Sequence, residues 1–173
     1  MKDTISKKYI KFLNEIKSRI VTARIQAIRS VNKELIKLYW DIGKSIVERQ
    51  KKYKWGDNIV EALARDLKEA FPEARGFSER NIWNMRRFYE EYKNKLFLQQ
   101  LVAEIPWGHN LMIMEKISAD NEREYYIKSS RDFGWSRSVL LNQIKANVYA
   151  LSQRQKTHNF PKALPLNKRR LPI

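Results

Sequence analysis

Residues 5–46, ISKKYIKFLNEIKSRIVTARIQAIRSVNKELIKLYWDIGKSI, decide the fold. Apolar or small residues recur at 5, 9, 12, 16, 20, 23, 27, 31, 35, 38, 42 and 46, in steps of three and four and without a proline. That spacing predicts a long amphipathic α-helix, or two helices meeting end to end. The mean step lies near the eleven-residue repeat of about 3.67 residues per turn, which predicts a nearly straight helix and not a left-handed coil. Another face carries Lys11, Lys33, Lys37 and Lys44.

Outward from this helix the chain keeps the same period. KYKWGD at 52–57 is a breaker. NIVEALARDLKEAF then places Ile59, Leu63, Leu67 and Phe71 on an inward face, and Pro72 ends the helix. In GFSERNIWNMRRFYEEY, residues 76–92, Ser78 has the chemistry of an N-cap, and Ile82, Met85, Tyr89 and Tyr92 form a stripe. Arg80, Asn84 and Arg87 fall on the other side. A short helix or loop is expected around LFLQQLVAE, and Pro106 suits the first turn of a helix continuing through LMIMEKI. NEREYYIKSSRDF predicts a helix stopped at Gly134, and Ser136 caps a last helix, SRSVLLNQIKANVYALS. No segment alternates at period two. The expectation is an all-α fold: a long N-terminal amphipathic helix plus a bundle of shorter helices with helix-turn-helix-like pairs. It occupies residues 1–153, with 154–173 as a basic tail or linker holding three of the five prolines.

Composition bounds the function. The 173 residues are 43% hydrophobic and 12% aromatic, enough for one core and against disorder. With no cysteine, disulfides and thiolate chemistry are excluded. No uninterrupted apolar run approaches membrane-spanning length and MKDTISKKYI lacks a secretory core, so a cytoplasmic location and no membrane partner are expected. The net charge is +16, unevenly spread: residues 1–55 carry 15 basic and 5 acidic side chains, 56–117 carry 9 and 10, and 118–173 carry 11 and 4. Clustered cations release counterions from a polyanion, so nucleic acid is the first partner expected. An anionic membrane, an acidic protein and a merely solvated surface are the alternatives.

GFSERNIWN at 76–84 is echoed by GWSRSVLLN at 134–142: glycine, aromatic, serine, then an aliphatic residue and an asparagine at matching offsets. Each begins a helix that follows another, the arrangement of a helix-turn-helix pair whose second helix can enter a groove. Glycine stops and serine caps are also ordinary punctuation. Arg80, Asn84 and Arg87 supply donors for phosphates and base edges, and Asn142 with Lys145 offers a smaller counterpart.

Catalytic patterns are weak. The triplets EIK at 15–17 and DLK at 66–68 resemble half of a metal-dependent nuclease site, but both lie in helical periodicity and read as solvated faces. His158 sits in the tail, no second ligand accompanies His109, and the five glycines form no phosphate loop. No catalytic residue, metal or cofactor is expected. In IPWGHN, residues 105–110, Trp107 reads as a core anchor and Gly108 as permitting close backbone approach. His109 and Asn110 read as partners for the free amides of a helix start. A role touching nucleic acid or a partner domain is the alternative for this segment.

YWDIGKSIVERQ, WGDNIVEALARDLKEAFPEARGFSERNIWNMRRFYEEY, IPWGHNLMIMEK and GWSRSVLLNQI, in this order over residues 8–162, resemble the N-terminal helical domain of the YhcG-type nucleases. The resemblance implies a helical domain that helps bind DNA or position a C-terminal PD-(D/E)XK nuclease domain, and it carries no catalytic residue onto this chain. Where that family continues from a segment like NFPKALP into the nuclease, this sequence reads LNKRRLPI and stops, so the catalytic domain is expected to be absent. Double-stranded DNA is the expected partner, held by Lys33, Lys37, Lys44, Arg80, Asn84, Arg87, Asn142 and Lys145. The rival reading is an interaction module that forms a homodimer through the long helix or docks a separate nuclease domain.

Overall fold

A computed structural model of the chain describes residues 2–56 and 58–157, with side chains over 7–56 and 58–154. Among the described residues there are eight helices and no strand: α1 (Lys2–Tyr53), α2 (Asn58–Ala70), α3 (Glu79–Tyr92), α4 (Leu96–Val102), α5 (Trp107–Lys116), α6 (Asp120–Phe133), α7 (Arg137–Lys145) and α8 (Val148–Thr157). The proline-free period at the N-terminus produces one uninterrupted helix of 52 residues.

Only the C-terminal half of α1 joins the body, and it does so on a face the apolar stripe marks only in part, through Leu35, Ile42 and Ile46. Ile36, Tyr39, Gly43 and Ile46 are buried, whereas Val31 and Leu38 of the expected stripe are exposed. Gly43 explains the choice of face. A Cβ there would collide with the carbonyl oxygen of Met85, and would lie 2.7 Å from its carbonyl carbon and 3.1 Å from Cβ of Tyr89. The backbone of α1 therefore rests directly on α3, and Trp40 adds edge contacts to Phe88 and Tyr89 at 5.8 and 5.0 Å.

Two apolar clusters flank this crossing. Tyr39, Ile46, Val60, Ala64, Ile82 and Met85 form one, where α2 closes over α1 and α3. Phe88, Tyr92, Leu98, Val102, Ile113, Tyr126, Ile127 and Leu140 belong to the other, built from α3 to α7 with Ile36 of α1, and Trp107 packs against both. On α2 the buried residues are Val60 and Ala64. Ile59, Leu63 and Leu67 of the expected inward face are only half-buried, and Phe71 lies exposed beyond the helix end. On α3, Phe88 is buried where the period assigned Tyr89, which is half-buried against Trp40.

The buried cation of the second cluster is Arg123. Its Nε donates to the Ile117 carbonyl at 2.7 Å and its guanidinium donates to Glu91 at 2.6 Å, while Lys95 bridges Glu91 and Asp120 at 3.1 and 2.8 Å. The hydrogen bond from Arg123 holds the Glu91 carboxyl below its ordinary value of 4.5, against the upward push of desolvation. Burial pushes the neighbouring Tyr92 hydroxyl up to about 12.

Gly134 caps α6 in the left-handed region, at φ 61°. The expected last helix divides in two because Asn147 also adopts a left-handed conformation, at φ 50°, and its side chain accepts from the Ala150 amide at 3.4 Å. Asparagine tolerates this backbone better than most residues, so the period continues across a break that it does not reveal. Of the tail at 154–173, the first residues finish α8 and those from 158 lie outside the described residues.

Gly43→Ala is expected to lower stability by about 1–3 kcal/mol, since the new methyl meets backbone that cannot rotate away. Equilibrium urea unfolding checks this. Because the folded-state pKa of Glu91 is depressed, its contribution is complete above pH 4.5 and is lost as pH falls through the folded value. Melting temperature should therefore drop on acidification below pH 4.5, and Glu91→Gln should flatten that part of the profile.

Candidate nucleic-acid interface

The N-terminal end of α3 meets α1, α5 and the first residue of α7 around a cleft of about 620 Å³. Its floor is a fixed polar network. Trp107 Nε1 donates to Asn81 Oδ1 at 2.8 Å, and Asn81 Nδ2 donates to the Gly76 carbonyl at 2.6 Å. Tyr39 lies edge-on to Trp107 at 4.9 Å and hydrogen-bonds Asn81, and burial pushes its hydroxyl pKa up. Gly76 sits at φ 137°, where a side chain would be strained and its Cβ would lie 2.5 Å from the Tyr39 hydroxyl. Ser78 accepts from the Asn81 amide at 3.3 Å and starts α3 in that register.

Four arginines line the cleft: Arg75, Arg80, Arg87 and Arg137. All four are exposed, and among the described residues none has a carboxylate within salt-bridge distance. Several other cations of the body are paired: Arg86 with Glu90 at 3.1 Å, Lys128 with Glu124 at 2.6 Å, Arg131 with Asp132 at 2.7 Å, and Arg123 as above. Glu115 is the single carboxylate lining the cleft. Unpaired guanidiniums each present five donors in a planar fork, so this arrangement can bind several oxyanions at once.

The structure thus brings Arg80, Asn84 and Arg87 into one cleft and adds Arg75, Asn81, Tyr39 and Arg137 to them. The rest of the expected set lies elsewhere. Lys33 and Lys37 line a separate hollow with Glu34 and Glu104, and Lys37 projects from α1 roughly 160° away from Tyr39. Lys44 stands 3.9 Å from Glu48. Asn142 and Lys145 are exposed on α7 and do not line the cleft. The echo between 76–84 and 134–142 does have a spatial counterpart. Ser136 accepts from the Val139 amide at 3.3 Å as Ser78 does from Asn81, and the two helix starts so defined contribute Arg80 and Arg137 to the same cleft.

Trp107 is half-buried and serves the floor of the cleft through its indole N–H. A Cβ at Gly108 would make only an ordinary contact, 3.9 Å from Arg137 Cδ, so close backbone approach does not require glycine there. His109 is buried, with Nε2 2.8 Å from the Trp135 carbonyl oxygen. Asn110 is buried and donates to the Val102 and Ile105 carbonyls at 2.8 and 3.2 Å. These two side chains engage carbonyls of neighbouring segments, where the sequence suggested amides of their own helix. Asn32 on α1 also donates to Ile105, at 2.9 Å, tying this turn to the long helix. Glu15 and Lys17, and Asp66 and Lys68, are exposed on helix surfaces. Among the described residues no group of three or more His, Asp or Glu could hold a metal ion, and no helix is long and apolar enough to cross a membrane. His158 lies outside the described residues.

Over residues 15–151 the sequence matches the family described as the DUF1016 N-terminal domain. A protein of Escherichia coli (strain K12) named "Putative nuclease YhcG" is 26% identical to it over 160 residues, an alignment covering 74% of this chain and 42% of that protein. The chain thus spans less than half the length of that curated relative. No solved structure matches it.

Asn81→Ala removes the acceptor of Trp107 and the donor to Gly76 together. It should cost about 1–3 kcal/mol in urea unfolding as the floor of the cleft loosens. A variant with wild-type stability would show that the network is not structural.

Proposed function

Since this chain belongs to the DUF1016 N-terminal domain family, we propose that it is a DNA-holding module, binding double-stranded DNA in the arginine-lined cleft and contributing no catalytic centre of its own. The observation that carries this reading is the gathering of four carboxylate-free arginines around one rigid cleft, in a chain with a formal charge of +16. A protein has little to gain from leaving like charges together and unpaired unless an anion neutralises them. The relative is named as a nuclease, which supports nucleic acid over other polyanions.

The binding chemistry follows from the geometry. Arg75, Arg80, Arg87 and Arg137 bind phosphate oxygens, and the fixed floor keeps their spacing constant while the duplex arrives. Asn84 stands among them with the amide that can read an adenine edge. α6 and α7 are joined by the three residues 134–136, a helix-turn-helix-like connection, so α7 follows the duplex away from Arg137. Asn142 and Lys145 on the exposed side of α7 then reach flanking phosphates. In this reading the module holds DNA for a cutting activity housed in another domain. The uncovered apolar face of α1 supports a protein-docking role beside DNA binding.

Fluorescence anisotropy with a labelled duplex across a salt series tests the proposal. Four phosphate contacts predict a slope of log K against log salt near −3.6, since each phosphate contributes about −0.9. Arg80→Ala and Arg87→Ala should each make the slope shallower by about 0.9, while Lys116→Ala, outside the cleft, should leave it unchanged. Affinity independent of salt, or a combined Arg75, Arg80, Arg87 and Arg137 alanine variant that binds like wild type, would overturn it.

A further inference from the structure

The N-terminal half of α1 leaves the body with its apolar side chains uncovered. Tyr9, Phe12, Ile20 and Val31 are 60%, 58%, 48% and 70% exposed, and neighbouring Leu13 and Ile16 are only half-buried. These residues share one side of the helix, roughly 150° around the axis from Ile36, Tyr39 and Gly43, which pack on the body, while Ile10, Val21, Ile25 and Ile28, also exposed, continue toward that packed side. The stripe is therefore free even when α1 is fully docked. An isolated helix of this length with its aliphatic side chains in water gains little from propensity alone.

Followed toward the C-terminus, the same side of α1 runs into an apolar groove of about 510 Å³ between α1 and α2. Ile42, Ile46, Trp55, Ile59, Leu63 and Leu67 line it. One molecule thus carries an apolar ridge and an apolar groove on the same side of the same helix. Their dimensions agree: Phe12 to Ile20 rises about 12 Å, as do Asp41 to Arg49 on one wall and Ile59 to Leu67 on the other. Their charges agree as well. Lys17 and Arg24 flank the ridge on one edge and Lys8 and Arg19 on the other. The groove has Asp41 on its α1 wall and Asp66 on its α2 wall, against the single cation Arg49. Asp41 has no ion pair among the described residues, and Asp66 has only the exposed, 3.5 Å contact with Arg65.

We propose that two copies of this chain associate with their α1 helices antiparallel, the ridge of each lying in the α1–α2 groove of the other. A two-fold axis near Val31 satisfies both surfaces of both copies with one contact type, the isologous arrangement that closes at a dimer. It brings Ile20 level with Ile42 of the second copy. Parallel pairing would align the cationic arms, in which residues 7–31 hold seven basic side chains and one acidic, and would leave both grooves empty.

Sedimentation of the full chain without nucleic acid tests the state, and engineered thiols test the geometry, because the chain has no cysteine of its own. A species of twice the 20.8 kDa chain mass is expected. Ile16→Glu combined with Ile20→Glu should weaken association about 100-fold or more while the body still melts cooperatively. On mild oxidation the double variant Ile20→Cys, Ile42→Cys should form intermolecular disulfides. Ile20→Cys alone should not, since the two positions lie about 33 Å apart across the axis. A monomer at all concentrations, a dimer that appears only with added DNA, or cross-linking of Ile20→Cys to itself would each overturn the proposal.

Discussion

Gly43 allows α1 to lie against the backbone of α3, and the remainder of the molecule is arranged around that crossing. Any side chain at this position would push the helices apart through the Met85 carbonyl, and backbone cannot step aside as the end of a side chain can. From the crossing, Tyr39 projects toward Gly76 and Trp107 on one side while Trp40 closes on Phe88 and Tyr89 on the other. Both apolar clusters thereby share α1 as a wall, and Trp107 joins them.

The cleft inherits its rigidity from this contact. Tyr39, Asn81 and Trp107 meet beneath it, and above them Arg80 and Arg137 are set by helix starts, Arg87 by the body of α3 and Arg75 by the turn before it. Ser78 and Ser136 define those starts through the same amide bond, which accounts for two distant segments of similar sequence delivering cations to one place. The uncovered half of α1 belongs to a different surface. It extends from the far side of the same helix, so the DNA-holding and self-association readings use separate faces and can operate together.

The helical class and most helix ends were legible because they depend on local chemistry: a proline-free period for α1, serine caps at Ser78 and Ser136, and the glycine stop at Gly134. Faces were less legible. On α1 the stripe marks Leu35, Ile42 and Ile46, which pack on the body, together with many residues that the body leaves uncovered, and the centre of the packed face is set by Gly43, which carries no hydrophobic signal. Asn147 breaks the last helix within an unbroken period for a similar reason, a single permissive backbone position. At the cleft, Arg80, Asn84 and Arg87 were visible because they share one helix face. Arg75 and Arg137 arrive from a turn and from another helix, and only the arginine beside the echoed Ser136 cap could have pointed to the second of them. Lys33, Lys37 and Lys44 shared only net charge with the cleft, and charge alone does not say which side of a helix faces which partner.

The central claim, that one α1-supported cleft is where this chain holds DNA, is tested most directly by amide hydrogen exchange with and without a duplex. Slowed exchange is expected over residues 75–87 and around Arg137, with Lys33 and Lys37 on the opposite side of α1 unchanged. Protection centred on the Lys33–Lys37 hollow, or none at the starts of α3 and α7, would contradict it.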